Sequence, residues 1–391
     1  MNFAVEDSPE LAAFRRHVGA WLDAHVPPEV RMSRERARRA PQAREWVRGL
    51  QRQLADQGWA APSWPQAYGG GGLSPAHDRV VREELDARQV PQLYEASLGV
   101  AAAILSCGSE RQRQRLVRPL LRGESAAWRA VGEADAVADP ETVTLQAVKD
   151  GDVYLVSGEE VCWGDPDGPT YLWVLAVTDP DAPARRRLSA FLIPVGLPGL
   201  ASSDRATIAP GGQRTMALEQ VAVPVEYRIG DEGDGWLVVQ SAFPVDGDAD
   251  RVLQEQQGFV GMLVRYCRER LQGRQPAYQY YETEERMAEA YIDAQVLRVL
   301  ALRNRWRSSQ SEATTYHGAQ FVLLAQAMRE RLATAMVEVM GPLALLDDPE
   351  WAPMHGEMEA WQRASLPGVS PGERVAAQQR AINQALGFPG S

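Results

Sequence analysis

The apolar positions of this chain change their period twice. From Ser8 to about Leu121 they recur three or four residues apart: Leu11, Phe14 and Val18, then Trp46, Leu50 and Leu54, then Val80, Val81 and Leu85. That spacing gives each of several helices one apolar face. The breaks are rich in Pro and Gly, notably APSWPQAYGGGGLSP from Ala61 to Pro75. There Ser74-Pro75 reads as a helix start, with serine as cap and proline in the first turn. Around Trp128 the pattern turns to short β-branched runs, TVTLQAV, VYLVSG, TYLWVLAV, LSAFLIPV and MALEQVAVP. Gly, Pro and Asp separate them, and DGD at Asp150–Asp152 marks a tight hairpin. From Asp248 the helical period returns in RVLQEQQGFVGMLVRYCRERL and ERMAEAYIDAQVLRVLALRNRW.

The pattern predicts an α+β chain in three parts. A helical domain spans 1–127, an antiparallel β-domain 128–236 and a helical bundle 237–391. At 391 residues the chain exceeds what one hydrophobic core holds.

Composition narrows the function classes. With 45% hydrophobic and 24% charged residues the chain is an ordinary folding sequence. Its formal charge of -11 repels phosphate backbones and argues against a nucleic-acid partner. The basic stretch RMSRERARRAPQAR, Arg31–Arg44, is interleaved with Glu35 and alanines, and reads as a solvated helix or loop rather than an anion site. Cys107, Cys162 and Cys267 lie far apart with no CxxC spacing, which fits a reducing cytoplasm. The N-terminus lacks a basic-then-apolar leader, and no apolar run approaches the roughly 18 residues that span a bilayer. A cytoplasmic protein without membrane partners is expected. The five histidines show no HExxH spacing, so no metal site is expected. GGGG at Gly69–Gly72 lacks the context of a phosphate loop, and no GxSxG elbow occurs.

Several segments, in order, resemble the acyl-CoA dehydrogenase family, especially its branch acting on bulky acyl chains. They are QGWAAPSWPQAYGGGG (Gln57–Gly72), EELDARQVP (Glu83–Pro91), CGSERQRQRLVRPLLRGE (Cys107–Glu124), DGDVYLVSGEE, VTDPDAPARRRLSAFLIP, VAVPVEYRIGDEGDGWLVV and the closing NQALGFPG. The resemblance implies an N-terminal helical domain, a central β-barrel-like domain and a C-terminal four-helix bundle, assembled as a homo- or hetero-oligomer, dimer or tetramer. It also implies FAD as cofactor and an acyl thioester, on CoA or a carrier protein, as substrate. A carboxylate takes the α-proton while a β-hydride passes to the flavin.

The motifs that would hold the flavin depart from the family pattern. FTEPGAGSD becomes VGEADAVAD, Val131–Asp139, keeping Glu133 and Asp139 but losing the hydroxyl, the proline and the Gly-Ser turn. NGQKTWIT becomes SGEEVCWGD, Ser157–Asp165, so Cys162 takes the aligned tryptophan position and Trp163 stands one residue on. A one-residue shift in a strand turns a side chain to the other face unless a bulge compensates. Trp163 is therefore either a flavin wall or a core or surface tryptophan. In RERLQGRQPAYQYY, Glu269 and Arg270 survive from the ER-x-x-F-G motif, and Arg270 is either a cofactor contact or a solvated charge near a helix end. Two carboxylates stand near the family's base positions. Asp250, in GDADRVLQEQQG, is either the base or a residue complementing a helix start, and Glu373, after Pro371, is either a base or a solvated loop residue. These losses leave three readings open: a divergent FAD-dependent dehydrogenase, an FAD-deficient subunit beside a more typical paralogue, or a flavin-independent protein on the same fold.

Overall fold

The computed structural model describes residues 7–30, 37, 40–91, 95–130, 142–164, 167–206, 212–242, 249–272, 275–276, 280–309, 316–348 and 350–365. The chain divides into two compact units, Glu10–Pro244 and Val245–Val369.

The first unit opens with the expected helices: α1 (Pro9–His25), α2 (Pro41–Asp56), α3 (Pro75–Ala87) and α4 (Glu95–Cys107). On α2 the buried residues are Ala43, Val47, Leu50 and Leu54, the stripe that the sequence spacing requires. They meet Val18, Leu22, Trp59, Val81 and Leu85 in one core. Pro75 occupies the first turn of α3 as expected, but Ser74 does not cap it. Its hydroxyl lies 2.8 Å from Nδ1 of His77 and makes no bond to the helix amides. The nearby imidazole competes with the backbone for the short side chain. Helix α4 is apolar nearly all round and sits buried between its neighbours. The Arg31–Arg44 stretch is described only at Ala37 and from Ala40 onward. There Arg44 and Arg48 both pair with Asp167 of the β-region.

Helix α5 runs Glu110–Gln112, passes through a π turn at Arg113–Val117 and finishes at Arg118–Leu121. Ser109 and Gln112 form a reciprocal capping box at its start. The same Gln112 amide donates to the carbonyls of Glu226 and Arg228, both at 2.8 Å, and so fastens the helix to the far end of the β-region.

The strands are β1 (Ala127–Ala130), β2 (Gln146–Asp150), β3 (Val153–Gly164), β4 (Tyr171–Val177), β5 (Leu188–Pro194), β6 (Leu200–Asp204), β7 (Gly212–Pro224) and β8 (Arg228–Ile229). They form one sheet in the order β6-β7-β3-β1-β4-β5-β8, with β2 beside β3 and β4. The DGD signal is the β2–β3 hairpin, with Asp150 opposite Val153 and Gly151 at φ +59. The sheet is mixed rather than wholly antiparallel, because β1 and β2 each run parallel to β4. A parallel pair needs a crossover, and the β2–β3 hairpin supplies it between β1 and β4. One face carries Trp128, Ala130, Tyr154, Val156, Cys162, Phe191 and Met216 into a barrel-like interior. The other carries Trp173, Leu175, Leu188 and Leu192 against α4, α5 and the following helix α6 (Gly235–Ala242).

The second unit is helical. Helix α7 (Ala249–Glu269), α8 (Tyr281–Ser309), α9 (Tyr316–Met340) and α10 (Glu357–Ser365) share cores around Leu263, Met336 and Trp361, and around Leu297 and Phe321. Glu255 of α7 ties three helices together. Its Oε1 accepts from Nε1 of Trp361 at 2.8 Å and from Arg329 at 2.7 Å. Burial pushes the Cys267 thiol up to about 11.

Two outcomes are expected. Replacing Gln112 by Ala leaves two carbonyls and the Ser109 amide without partners, and should cost about 2 kcal/mol in urea unfolding. Cys267 stays a protonated thiol at pH 8, so iodoacetamide should label it only after denaturation, as read by peptide mass spectrometry.

Candidate functional site

The C-terminal end of β3 is where the sequence places the flavin-facing motif. Its geometry follows from strand alternation. In the β1–β3 pairing Ala130 faces Cys162 and Arg129 faces Trp163. Cys162 is fully buried in the barrel interior with Trp128 and Ala130, so Trp163 emerges on the opposite face, half-buried beside Arg129. The register shift between Val156 and Gly158 marks an irregularity in β3, at the first residue of the motif and well before Cys162. It leaves the alternation at 162–164 intact, so nothing turns the displaced indole back.

The hydroxyl of NGQKTWIT falls two residues after its tryptophan, which here is Gly164. Continuing the β1–β3 register sets Trp128 opposite Gly164. A Cβ built on Gly164 would stand 2.7 Å from Cγ and 2.8 Å from Nε1 of the Trp128 indole, and closer still to Cδ1. No side chain fits there while Trp128 stays in place. Arg214, opposite Cys162 on β7, lays its guanidinium 5.5 Å from the Trp128 ring and pairs with Asp204 at 2.8 Å. An indole, a guanidinium and a thiol therefore occupy this end of the barrel.

Tested against FAD, these residues do not fit. A planar ring system needs an exposed aromatic wall and a donor at its edge, whereas the aligned positions present a thiol buried in the core and a glycine covered by an indole. Trp128 and Arg214 were missed in the sequence. The signal for Trp128 was available, because a large residue beside a period-2 run demands a small cross-strand neighbour.

The other candidates are dispersed. Glu133, Asp139 and Glu373 lie outside the described residues. Asp250 is the second residue of α7, within its first turn. Arg270 is the first residue past α7. Its backbone amide closes onto the Tyr266 carbonyl at 2.9 Å, and its side chain is exposed. Burial raises the Tyr266 hydroxyl, and the charge of Arg270 offsets part of that rise. The amides of Gly69, Gly70, Gly71 and Gly72 all donate to loop carbonyls, which leaves none of them for a phosphate. Among the described residues no group of His, Cys, Asp and Glu is placed to hold a metal, and no helix is long and apolar enough to cross a membrane.

Residues 8–124 match the acyl-CoA dehydrogenase N-terminal domain and residues 233–364 the acyl-CoA dehydrogenase C-terminal domain. The chain belongs to the acyl-CoA dehydrogenase family. It is 24% identical to acyl-CoA dehydrogenase FadE26 of Mycobacterium tuberculosis, over 98% of each chain. It is 27% identical to acyl-CoA dehydrogenase FadE29 of the same organism, in a match spanning 60% of each. The fold superimposes on the Tcur3481-Tcur3483 steroid ACAD with a TM-score of 0.82, at 19% identity over the whole of both chains. For the ChsE4-ChsE5 complex from Mycobacterium tuberculosis the TM-score is 0.79, at 21% identity, covering 99% of this chain and all of that one. The expected acyl-CoA dehydrogenase fold and oxidoreductase family are thereby established.

The Trp128–Gly164 contact makes a sharp prediction. Gly164→Ser should lower stability by about 3 kcal/mol through overpacking, and adding Trp128→Ala should recover part of that loss, read by urea unfolding of both variants.

Proposed function

We propose that this chain is a subunit of a heteromeric acyl-CoA dehydrogenase, one that lacks a flavin of its own and works beside a family member that carries FAD. The observation that carries the reading is the filled flavin wall: Trp128 over Gly164, with Cys162 turned into the barrel. Two similar folds come from assemblies whose descriptions name two proteins each, the ChsE4-ChsE5 complex and the Tcur3481-Tcur3483 steroid ACAD. The substrate class is a bulky acyl thioester, of which a steroid acyl group is one example. CoA and a carrier protein are both suitable handles.

Within such an assembly the oxidant resides in the partner, and this chain contributes binding surface and acid–base groups. Asp250 is the candidate base, set in the first turn of α7. Removal of the α-proton needs an ionised carboxylate, and the positive end of the helix dipole favours that form. Arg270 and Trp163 are the remaining candidates for contacts to an anionic or planar ligand, and both retain exposure for that role. Glu255, also on α7, is engaged through Oε1 by Trp361 and Arg329, and is assigned a structural role.

The visible spectrum tests the reading directly. The purified chain should be colourless, whereas co-expression with a flavin-bearing family member should give a yellow complex that oxidises acyl-CoA. A chain that purifies yellow by itself overturns it. In the complex, Asp250→Asn should reduce kcat by at least about a hundredfold with unchanged melting temperature; undiminished turnover would remove Asp250 as the base.

A further inference from the structure

The chain carries 40 arginines and one lysine, Lys149. The distinction is chemical. A guanidinium stays protonated and does not attack a carbonyl carbon, whereas the free amine of a lysine is a nucleophile. An acyl donor therefore meets a single side-chain amine on this chain, and the surroundings of Lys149 decide whether that amine is put to use.

Lys149 stands on β2 beside the β2–β3 turn, opposite Tyr154. Its side chain is 55% exposed, and Nζ lies 3.9 Å from Oε2 of Glu232. That separation is too long for a hydrogen bond, so the carboxylate is near the amine without being tied to it. Glu232 is held from the other side. The same Oε2 accepts from the Tyr154 hydroxyl at 2.7 Å and from Nη1 of Arg228 at 3.2 Å, and Arg228 also donates to the Tyr154 oxygen at 3.0 Å. Burial pushes the Tyr154 hydroxyl up, and its bond to Glu232 adds to the rise, so it remains a donor at neutral pH. One residue on, the Gly233 amide donates to Oγ of the buried Ser189 at 3.0 Å and pins the loop. A nucleophile, a carboxylate beside it and two groups that orient the carboxylate make the arrangement by which proteins activate a nucleophile. None of these four side chains takes part in the function proposed above.

We propose that Lys149 and Glu232 form an acyl-acceptor pair, in which the Lys149 amine takes an acyl group from a thioester while Glu232 takes its proton. The nitrogen attacks the thioester carbonyl carbon, an N–C bond forms as the C–S bond breaks, and the sulfur departs as a thiolate. The proton lost by nitrogen passes to Glu232 and then to the thiolate, so the products are an amide on Lys149 and a free thiol. Acylation removes the positive charge of Lys149, and Arg228 keeps Glu232 paired afterwards. The choice of a thioester as donor rests on the function proposed above; a small thioester that needs no CoA site probes the pair by itself.

A plain surface ion pair predicts the opposite response to loss of the carboxylate. It would hold the ammonium form, so Glu232→Gln would free the amine and speed acylation, whereas loss of a base slows it. The full chain is incubated at pH 8 with S-acetyl-N-acetylcysteamine, cysteine thioesters are stripped with hydroxylamine, and the Lys149 peptide is followed by mass spectrometry. Lys149 should be acetylated about tenfold faster in the folded chain than in the guanidinium-unfolded chain, and Glu232→Gln should remove that advantage. Lys149→Arg should leave no acetylated side chain. Glu232 is 40% exposed and glutamine matches its shape, so the variant should fold, as an unchanged melting temperature would confirm. Equal rates in the folded and unfolded chains, or faster acetylation of Glu232→Gln, would overturn the proposal. An acetyl group has no β-carbon to dehydrogenate, so its transfer is read apart from oxidoreductase activity and from the colour of the purified chain.

Discussion

One side chain sets the terms for the β-region: the indole of Trp128. It lies against Gly164 across the β1–β3 pairing and beneath the guanidinium of Arg214. A buried indole needs about as much volume as two ordinary side chains provide, and glycine on the facing strand is what admits it without strain. With that contact made, the alternation of β3 is settled. Cys162 goes inward to the barrel core and Trp163 goes outward.

The helical unit follows a different logic. Its interior is held by apolar clusters and by polar junctions, among them the one where Glu255 of α7 takes bonds from the indole of Trp361 and the guanidinium of Arg329. A carboxylate so engaged helps hold α7, α9 and α10 together. The outward surface of α8 is apolar along one line, through Ile292, Val296 and Val299, and divided by charge along its length.

The chain keeps the acyl-CoA dehydrogenase fold, and the positions of β3 aligned with the family motif hold a thiol buried in the barrel and a glycine covered by an indole. Trp128, Arg214 and Asp204 form a packed and charge-paired end to the barrel.

By itself the sequence determined the order of helical, β and helical segments, the DGD hairpin, the apolar stripes of α1–α3 and the family, because each rests on local periodicity or on motifs that survive in order. It also showed that the flavin motifs had changed, though not what replaced them. Ser74 looked like a cap until His77 stood beside it, and the β-region looked wholly antiparallel until the β2–β3 hairpin served as the crossover for a parallel β1–β4 pair. Only the tertiary structure decided which way Trp163 faces, that Trp128 occupies the space beside Gly164, and that Glu255 is committed to Trp361 and Arg329. Each of those depends on cross-strand or interhelical neighbours far apart in the chain, and a residue's own spacing does not record what it will meet there.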